Sequence, residues 1–444
     1  MPRRRLRADT TRPMLAVYRS GRQVGAAGRD PATDEFWFQY DPALLATCQQ
    51  EWPRWQLSLR LPLRDAPYGE AARVFFENLL VEGVLRDDLA AAIQRDPKDV
   101  AGLLNRVGAE CAGDVQVWPT GLQVPPPSYT PFTVAELHDL FVARHGERHT
   151  EAQLRGRQGM SGTQAKLVFW RQAIQSGEAL YQLPESGAPT TVIIKRPSGR
   201  HPWLVENEWV CQRLALAVGL PAADTAILSH PSGRSADALL MSRRHDRIEH
   251  EGGIARVHQE DICQALGVPS GRKYQHDRGP GLRDIANLLR QKTADPVQEL
   301  ERLAKMVLLH VVIGNMDAHA KNYALLYTGA RPTLAPVYDA LSTWLYRDLL
   351  GNRYAMQIGS APTPDQLHPA AFERLSRDLG STSAQLRNWV EQVLDGVHQH
   401  LPELLRTAQG TTGPSGYAAA LAQVIAEQTR HLQRAAAPPP AGRQ

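Results

Sequence analysis

Cysteine is scarce in this chain, and long apolar runs are missing from it. The four cysteines, Cys48, Cys111, Cys211 and Cys263, show no C-x-x-C spacing, which indicates free thiols in a reducing compartment. No apolar run reaches the length that spans a bilayer. No apolar segment follows the basic residues MPRRRLR, as a secretory signal would require. We therefore predict a cytoplasmic protein without membrane contacts.

An excess of charge of one sign is also missing. The net charge is +4 over 444 residues, which permits a nucleic-acid or acidic partner but does not require one. Apolar residues make up 43% and charged residues 22% of the chain, as in an ordinary globular protein. The length predicts two to three domains with well-buried cores.

The pattern of apolar residues divides the chain into parts of different character. Residues 14–118 mix strand signals with a helical period over 71–93, and the alternating leucines of 55–63 predict one of the strands. Prolines are frequent over 119–131 and predict a semi-rigid connector. We place the first domain boundary at this connector.

Beyond the connector the chain changes from strand-rich to helix-rich, so the predicted fold class is α+β. Residues 132–247 predict a mixed lobe, and residues 248–435 predict an all-helical lobe. The last residues, 436–444, have too few apolar side chains for a core, and we expect them to be disordered. Two such lobes would leave a cleft between them, and clefts between domains favour ligands.

Polar residues directly follow an apolar run in the segment IGNMDAHAKNYALL, residues 313–326. Asp317 and Asn322 have the spacing D-x-x-x-x-N, which protein kinase catalytic loops use for a base and a metal-binding amide. Asp339 follows seventeen positions later. It could join Asn322 in holding Mg²⁺, which needs few protein oxygens beside the phosphates. Taken alone, the spacing favours a polar helix cap over an active site.

Two features earlier in the chain complete the order in which motifs occur in protein kinases. Lys195 ends the apolar strand of VIIKRP and could reach the phosphates, with Glu208 as its helix partner in preference to Glu206. The segment GRQGMSGTQAK, residues 156–166, carries three glycines whose N–H groups could cradle phosphate oxygens. It is not a Walker A loop, because Lys166 does not follow a glycine. An edge-strand lysine and a hairpin turn are the alternatives, but the shared order favours phosphoryl transfer.

With these motifs in order, the chain resembles the HipA family of serine/threonine kinases, the toxins of bacterial toxin–antitoxin pairs. In the first part the resemblance rests on LAVYRSGRQVG, LSLRLPL and FFENLLVEG. In the later part it rests on SGTQAK, VIIKRP, NEWVCQRLALAVGLP, QEDICQALGVP, KYQHDRGPG, IGNMDAHAKN and VYDALS. It runs from about residue 14 to about residue 400. It implies a protein-kinase-like, two-lobed fold with a small N-terminal α/β subdomain.

The resemblance also implies roles for single residues. Asp317 would be the catalytic base, and Asn322 and Asp339 would hold Mg²⁺. Lys195, paired with Glu208, would bind ATP from the other lobe. The other residues implied at the phosphates are Ser161, Gly162, Thr163, Gln164, Lys166, His319 and Lys321, and those towards the adenine are Arg243 and His245. Asn322 and Tyr338 are implied in ATP binding as well.

The chain departs from the family in two places. The serine that family members phosphorylate on themselves is replaced by Gly159, and the nearest hydroxyl, Ser161, becomes the candidate for autophosphorylation. The adenine-side segment, usually similar to E-R-F-D-R, is RRHDR at residues 243–247. The loss of an acid and an aromatic residue there could weaken or retune nucleotide binding, and Arg243 could instead form a salt bridge.

The implied activity is phosphorylation of a protein hydroxyl with ATP and Mg²⁺. An aminoacyl-tRNA synthetase is the best-known kind of target in the family, which is associated with bacterial persistence. The implied partner is a HipB-like helix-turn-helix antitoxin that binds operator DNA. Two alternatives stay open. The chain could be a nucleotide-binding pseudokinase that acts as a co-repressor, or a metal hydrolase built on Asp317, His319 and Asp339.

Overall fold

In the computed structural model of the protein, the described residues are 14–47, 54–142, 166–173, 179–197, 201–230, 237–412 and 416–438. The predicted phosphate-side residues Ser161, Gly162, Thr163 and Gln164, together with Gly159, lie outside the described residues, as does most of the predicted tail. Within those ranges, no helix combines the length and the apolar character that crossing a bilayer needs.

A four-stranded antiparallel sheet organises the N-terminal part of the chain, in the order β3–β2–β1–β4. Its strands are β1 (Leu15–Arg19), β2 (Arg22–Arg29), β3 (Phe36–Tyr40) and β4 (Val115–Pro119). The helices of this part are α1 (Pro42–Thr47), α2 (Glu70–Glu77), α3 (Val84–Ala92) and α4 (Val100–Val107). Strand β3 and helix α2 meet in an aromatic core, where Phe76 packs 5.4 Å from Phe36 and 5.7 Å from Phe38 between ring centroids.

The strand predicted over residues 55–63 is wrong, because this segment is a loop. Its alternating pattern is real in part, since Leu57 and Leu61 are fully buried. The polar groups between them, however, bond to a distant carboxylate instead of a neighbouring strand. Ser58 Oγ donates to Glu260 Oε2 at 2.6 Å. A tertiary contact therefore replaces the strand ladder.

The helical run predicted over residues 71–93 is divided into α2 and α3. Helix α2 ends at Glu77, and Gly83 precedes α3 with a φ of 55°, in the left-handed region that favours glycine. The break between the two helices carries Asn78 and Glu82, which line the central cavity of the molecule.

A six-stranded sheet forms the middle of the chain, in the order β5–β7–β6–β8–β10–β9, with antiparallel neighbours throughout. Its strands are β5 (Ser128–Phe132), β6 (Lys166–Ala173), β7 (Ala179–Glu185), β8 (Val192–Lys195), β9 (Thr225–Leu228) and β10 (Leu239–Arg243). Strand β5 begins inside the predicted connector 119–131, so the irregular part of that connector ends before residue 128. Strand β5 lies at the edge of the sheet, where a proline, which has no N–H to donate, is tolerated; this position explains Pro131.

Two helices accompany this sheet. Helix α5 (Val134–Val142) begins after a capping pair, in which Thr133 Oγ1 accepts from the Glu136 N–H and Glu136 accepts from the Thr133 N–H. Helix α6 (Leu204–Ala217) is buried along most of its length, including Val210 and Leu214. Both side chains belong to the large C-terminal core, so α6 joins the sheet to the helical part of the chain.

Helices dominate the C-terminal part. They are α7 (Ile262–Leu266), α8 (Leu282–Lys292), α9 (Pro296–Val312), α10 (Arg347–Leu350), α11 (Pro369–Leu379), α12 (Ser383–Thr412) and α13 (Tyr417–Ala436). Helix α9 supplies Val307, Leu308 and Val311 to the core beneath the predicted catalytic loop.

The prediction that this lobe is all-helical is wrong. It also contains a two-stranded ribbon and a three-stranded sheet, β13–β14–β15. The five strands are β11 (Arg247–His250), β12 (Gly253–Arg256), β13 (His258–Asp261), β14 (Ala324–Tyr327) and β15 (Thr333–Leu334). None is longer than four residues, and so short a strand offers too few positions for its alternation to be recognised in the sequence.

Candidate active site

The loop after helix α9 is fixed by its own backbone. Gly314 ends the helix with a φ of 68°, and a Cβ built on it would lie 2.8 Å from Trp344 Cβ. The Asn315 N–H then donates to the His310 carbonyl at 2.8 Å, and the Met316 N–H donates to Thr343 Oγ1 at 2.7 Å. The apolar half of the segment is therefore buried, while Asp317 is exposed to the central cavity.

Asp317 is hydrogen-bonded to a tyrosine from another segment. The Tyr274 hydroxyl donates to Asp317 Oδ1 at 2.8 Å. Desolvation by the cavity walls raises the pKa of Asp317 above its ordinary value, although the Tyr274 hydrogen bond opposes this rise. A carboxylate with a raised pKa and a defined orientation is suited to accept a proton from a hydroxyl.

Lys195, at the end of β8, lies between two carboxylates. Its Nζ is 2.6 Å from Glu208 Oε1 on α6, and it also pairs with Asp339. Burial disfavours the charge of this lysine, but Asp339 and Glu208 outweigh it and raise the pKa of Lys195. In the described part of the chain the carboxylates that pair with Lys195 are Glu208 and Asp339, whereas Glu206, the alternative partner on α6, is a buried side chain of the same helix. The strand, the helix and the segment after β15 thus meet in one ion cluster.

Asp339 and Asn322 adjoin each other at the wall of the cavity. Asp339 has a φ of 58°, a strained backbone conformation for a residue with a side chain. The Asn322 amide Nδ2 donates to Asp339 Oδ2 at 3.4 Å, and its Oδ1 accepts from the His319 N–H at 3.1 Å. Burial opposes the charge of Asp339, yet Lys195 and Lys166 lower the pKa of this carboxyl well below its usual range. A carboxylate and an amide oxygen are residue types that fit Mg²⁺ with its other ligands from phosphates and water. In this structure Asn322 presents Nδ2 to Asp339, so joint ligation would require the Asn322 amide to turn its oxygen towards the ion.

No group of three or more His, Cys, Asp or Glu side chains suited to a metal ion occurs among the described residues. His319, which the hydrolase alternative uses as a ligand, is 8% exposed, and burial lowers its pKa to about 3. Its imidazole is therefore neutral at pH 7, and its ring lies 5.3 Å from the Tyr274 ring between centroids.

Lys321 lies in a buried cluster of charges. Its Nζ donates to Asn78 Oδ1 at 2.7 Å and lies 3.2 Å from Glu82 Oε1 and 3.1 Å from Asp261 Oδ2. Glu82 Oε2 also pairs with Lys273 Nζ at 2.8 Å. Although Lys321 borders the cavity, the groups that hold its ammonium here come from the protein itself. Its role at the phosphates stays a prediction.

Lys166 begins β6 and lies opposite Lys195 in the ladder between β6 and β8. Burial, reinforced by the charge of Lys195, lowers the pKa of Lys166 to about 8, while Asp339 opposes this shift. Like charges in opposed positions are unfavourable. Their tolerance here follows from the two carboxylates, Asp339 and Glu208, that face the pair.

The predicted adenine-side residues make different contacts: His245 stacks on Tyr338, whereas Arg243 forms a salt bridge. The His245 ring stacks on the Tyr338 ring with centroids 5.3 Å apart, and His245 Nε2 lies 2.7 Å from Gln259 Oε1. Tyr338 donates its hydroxyl to the Lys321 carbonyl at 2.7 Å. Arg243 is exposed and pairs with Glu249 Oε2 at 2.8 Å, which is the salt bridge that the sequence departure allowed.

The altered segment 243–247 is anchored in the N-terminal part of the chain. Glu110 is fully buried, and its Oε1 lies 3.0 Å from Arg244 Nη1 and 2.9 Å from Arg247 Nη2. Burial opposes the charge of Glu110, but Arg247 and Arg256 outweigh it and lower the pKa of Glu110 to about 2. The backbone that carries His245 is thus held by ion pairs.

One cavity of about 840 Å³ collects these groups. It has a volume in the range of small-molecule sites. Its walls come from the six-stranded sheet, from the C-terminal part and from the break between α2 and α3. The predicted residues that line it are Lys166, Lys195, Arg243, His245, Asp317, His319, Lys321, Asn322, Tyr338 and Asp339. Glu208 lies behind the cavity wall, where it supports Lys195.

Several residues of the site escaped the sequence analysis. They are Asn78, Glu82, Asp261, Lys273 and Tyr274. Their contacts join positions far apart in the chain, such as Glu82 and Lys273, which are 191 residues apart. No local spacing marks such pairs. The only available signal was that Asn78 and Glu82 lie in FFENLLVEG and Lys273 and Tyr274 in KYQHDRGPG, both of which carry the family resemblance.

Comparison with known proteins gives two family matches. The HipA N-terminal domain matches residues 15–118, and the HipA-like C-terminal domain matches residues 159–401. Among curated proteins, "Putative kinase Y4mE" of Sinorhizobium fredii is 32% identical over 404 residues, which cover 88% of this chain and 92% of that protein. The "Serine/threonine-protein kinase toxin HipA" of Shewanella oneidensis is 24% identical and covers 88% of this chain and 89% of that protein.

Among solved structures, the Shewanella oneidensis HipA in complex with HipB and its operator DNA superimposes with a TM-score of 0.77. The match covers 95% of this chain and 97% of that chain at 22% identity. At this level of identity the likeness shows a shared fold.

Proposed function

The chain belongs to the HipA family, and on that premise we propose that it is a serine/threonine protein kinase that transfers the γ-phosphate of ATP to a protein hydroxyl. One observation carries the proposal. Asp317 and Asn322 from the loop after α9, Lys195 from the end of β8 and Asp339 from the segment after β15 line one cavity. A cap at the end of α9 would explain the first two residues but not the convergence of all four.

The roles follow from the geometry. Asn322 and Asp339 would hold Mg²⁺, which neutralises phosphate charge when bound. Lys195 is held in place by Glu208, so its ammonium is oriented before ATP arrives and can bind phosphate oxygens where it now meets Asp339. Such positioning and charge neutralisation account for most of the catalysis in phosphoryl transfer.

Asp317 would act as the base. Its Oδ1 accepts from Tyr274, which turns the carboxylate and leaves Oδ2 to receive the proton of an incoming serine or threonine hydroxyl. The raised pKa of Asp317 brings it closer to the operating pH, as general bases require. The His245–Tyr338 stack offers an aromatic surface for the adenine, and the loop Ser161–Gln164 with Lys166 would cover the phosphates.

We extend the proposal to partners and organisation. The fold shared with a HipA that was solved with HipB and operator DNA supports a HipB-like helix-turn-helix antitoxin, which would bring the chain to DNA in the cytoplasm. The acceptor would be a protein of the translation apparatus, such as an aminoacyl-tRNA synthetase. Residues 14–118, 132–247 and 248–435 would form the N-terminal subdomain and the two kinase lobes.

The test uses the purified full chain with labelled ATP, Mg²⁺ and cell lysate. Asp317→Ala should abolish the transfer of labelled phosphate to protein while the thermal unfolding transition is kept. Asp395→Ala, an exposed aspartate on α12, is the matched control and should transfer phosphate like the wild type. Transfer by Asp317→Ala at the wild-type rate would refute the role of the base. Binding of ATP without any turnover by the wild type would instead favour the pseudokinase alternative.

Autophosphorylation at Ser161 is a separate part of the proposal. Phosphopeptide mapping after incubation with ATP should find phosphate on Ser161, because it is the nearest hydroxyl to Gly159. Phosphate on another residue, or on none, would end this idea without affecting the kinase proposal.

A further inference from the structure

We propose that Glu82 is a positioning residue of the active site, which orients the catalytic loop through Lys273 and Lys321. This inference deepens the proposed kinase function and rests on it. It assigns the N-terminal part of the chain a positioning role in the reaction, because Glu82 lies between α2 and α3 of that part.

Glu82 binds two lysines from the C-terminal part at once. Its Oε2 lies 2.8 Å from Lys273 Nζ, and its Oε1 lies 3.2 Å from Lys321 Nζ. All three residues are buried, with 8%, 9% and 6% exposure respectively. Two ammonium groups that converge on one buried carboxylate are held far more rigidly than exposed ion pairs, which are screened and flexible.

The two lysines flank the reacting groups in sequence and in space. Lys321 immediately precedes Asn322, one of the two candidate Mg²⁺ ligands. Lys273 immediately precedes Tyr274, whose hydroxyl donates to Asp317 Oδ1. A shift of either lysine would therefore move a group that contacts the base or the metal ligand, and Glu82 restrains both lysines together.

The segment that carries Glu82 is itself fixed against the C-terminal part. Asn78 accepts from Lys321 Nζ at its Oδ1 and at its carbonyl, at 2.7 and 3.0 Å, and its Nδ2 donates to the Val268 carbonyl at 3.0 Å. Ser270 Oγ donates to Glu77 Oε1 at 2.8 Å. These bonds hold the break between α2 and α3 in place, so that the carboxylate of Glu82 is a defined anchor.

Replacement of Glu82 would affect the two lysines differently. Lys321 would keep Asp261, which lies 3.1 Å away. For Lys273, Glu82 is the one carboxylate within ion-pair distance in the described part of the chain. The Lys273–Tyr274 side of the loop should therefore loosen first, which predicts a loss in the chemical step rather than in ATP binding.

The experiment compares Glu82→Gln with the wild type in the full chain. Casein and labelled ATP serve as the probe, release of free phosphate is followed in parallel, and thermal unfolding is measured for each variant. We expect kcat to fall roughly 10- to 100-fold, because small misplacements of reacting groups have effects of this size. The KM for ATP should change less than about threefold, because ground-state binding is kept. Glu70→Gln, an exposed glutamate on α2, is the matched control and should behave like the wild type.

Lys273→Met supplies the second arm. If Glu82 acts through Lys273, the double variant Glu82→Gln/Lys273→Met should lose little more activity than Glu82→Gln alone. If Glu82→Gln does not fold, Lys273→Met is measured by itself, and a loss of kcat supports the proposal. A wild-type kcat in either folded variant, or equal losses in kcat and ATP affinity, would overturn it. A wild type that neither transfers nor releases phosphate would overturn the proposed function and this inference with it.

Discussion

Glu208 offers the sharpest test of the ion cluster around Lys195. Glu208→Gln keeps the shape of the side chain and removes its charge. At 2.6 Å, the attraction between Glu208 Oε1 and Lys195 Nζ is roughly 6 kcal/mol at an effective dielectric constant of about 20. Desolvation of the two buried groups offsets most of this attraction. Lys195 also retains Asp339 in the variant, so we expect a net loss of about 2–3 kcal/mol in the free energy of unfolding.

The catalytic effect should exceed what the loss of stability explains. Without Glu208, Lys195 is drawn towards Asp339 alone, and its ammonium leaves the position in which it would meet the phosphates. Transfer of labelled phosphate should fall roughly 10- to 100-fold at temperatures where the variant is fully folded. Calorimetry should show the unfolding transition lowered by roughly 2–5 °C, because the unfolding entropy of so large a unit is high.

Glu206→Gln is the matched control, because Glu206 is also buried on α6, whereas the carboxylates that pair with Lys195 in the described part of the chain are Glu208 and Asp339. It should keep its phosphate transfer even if its stability falls. The reasoning is refuted if Glu208→Gln unfolds and transfers phosphate like the wild type. It is equally refuted if the two variants lose activity to the same extent.

Three further predictions concern the base, the metal and the loop. Tyr274→Phe removes a hydrogen bond that lowers the pKa of Asp317; activity requires the deprotonated base, so the acidic limb of the pH–rate profile should move to higher pH. Chelation of Mg²⁺ should abolish transfer, and Asp339→Asn should raise the Mg²⁺ concentration needed for half-maximal rate, as measured by titration of the metal. Gly314→Ala should destabilise the fold by about 1–3 kcal/mol in thermal unfolding, because Gly314 has a φ of 68° and an added Cβ would lie 2.8 Å from a tryptophan side chain.

Each of these has a result that would contradict it. An acidic limb that stays in place, or moves to lower pH, would show that Tyr274 does not tune Asp317. Release of phosphate with zinc in place of Mg²⁺, without transfer to protein, would favour the hydrolase alternative. Gly314→Ala with wild-type stability would mean that the loop adjusts, whereas Gly329→Ala, whose added Cβ meets no neighbour within 4 Å, should be tolerated in any case.

Local signals located several elements of the site. The apolar strand that ends at Lys195 and the helical spacing around Glu208 were readable because each depends on neighbours within one element. The capping pair Thr133 and Glu136 was readable for the same reason, since its two residues are three positions apart. The family itself was recognisable from ordered motifs, and the two domain matches confirm it.

Contacts between residues that are far apart in the sequence could not be predicted from it. The alternation of residues 55–63 predicted a strand, but a distant carboxylate, Glu260, accepts hydrogen bonds from the Ser58 hydroxyl and the Leu59 N–H instead. The helical run 71–93 hid a break, because apolar spacing continues across Gly83 while the backbone does not. The short strands of the C-terminal part were missed because they are defined by hydrogen bonds to partner strands and not by a pattern within their own two to four residues.

The sequence by itself determined which reactive residue types the chain carries and in what order. It set the order of a lysine, a glutamate, a D-x-x-x-x-N loop and a second aspartate, because spacing within a loop or helix is a local property. Only the tertiary structure decided which charges meet. It brought Asp339 to Lys195 across 144 positions and Glu82 to Lys273 across 191, because pairing of buried charges depends on how separate elements pack and not on any pattern within one of them.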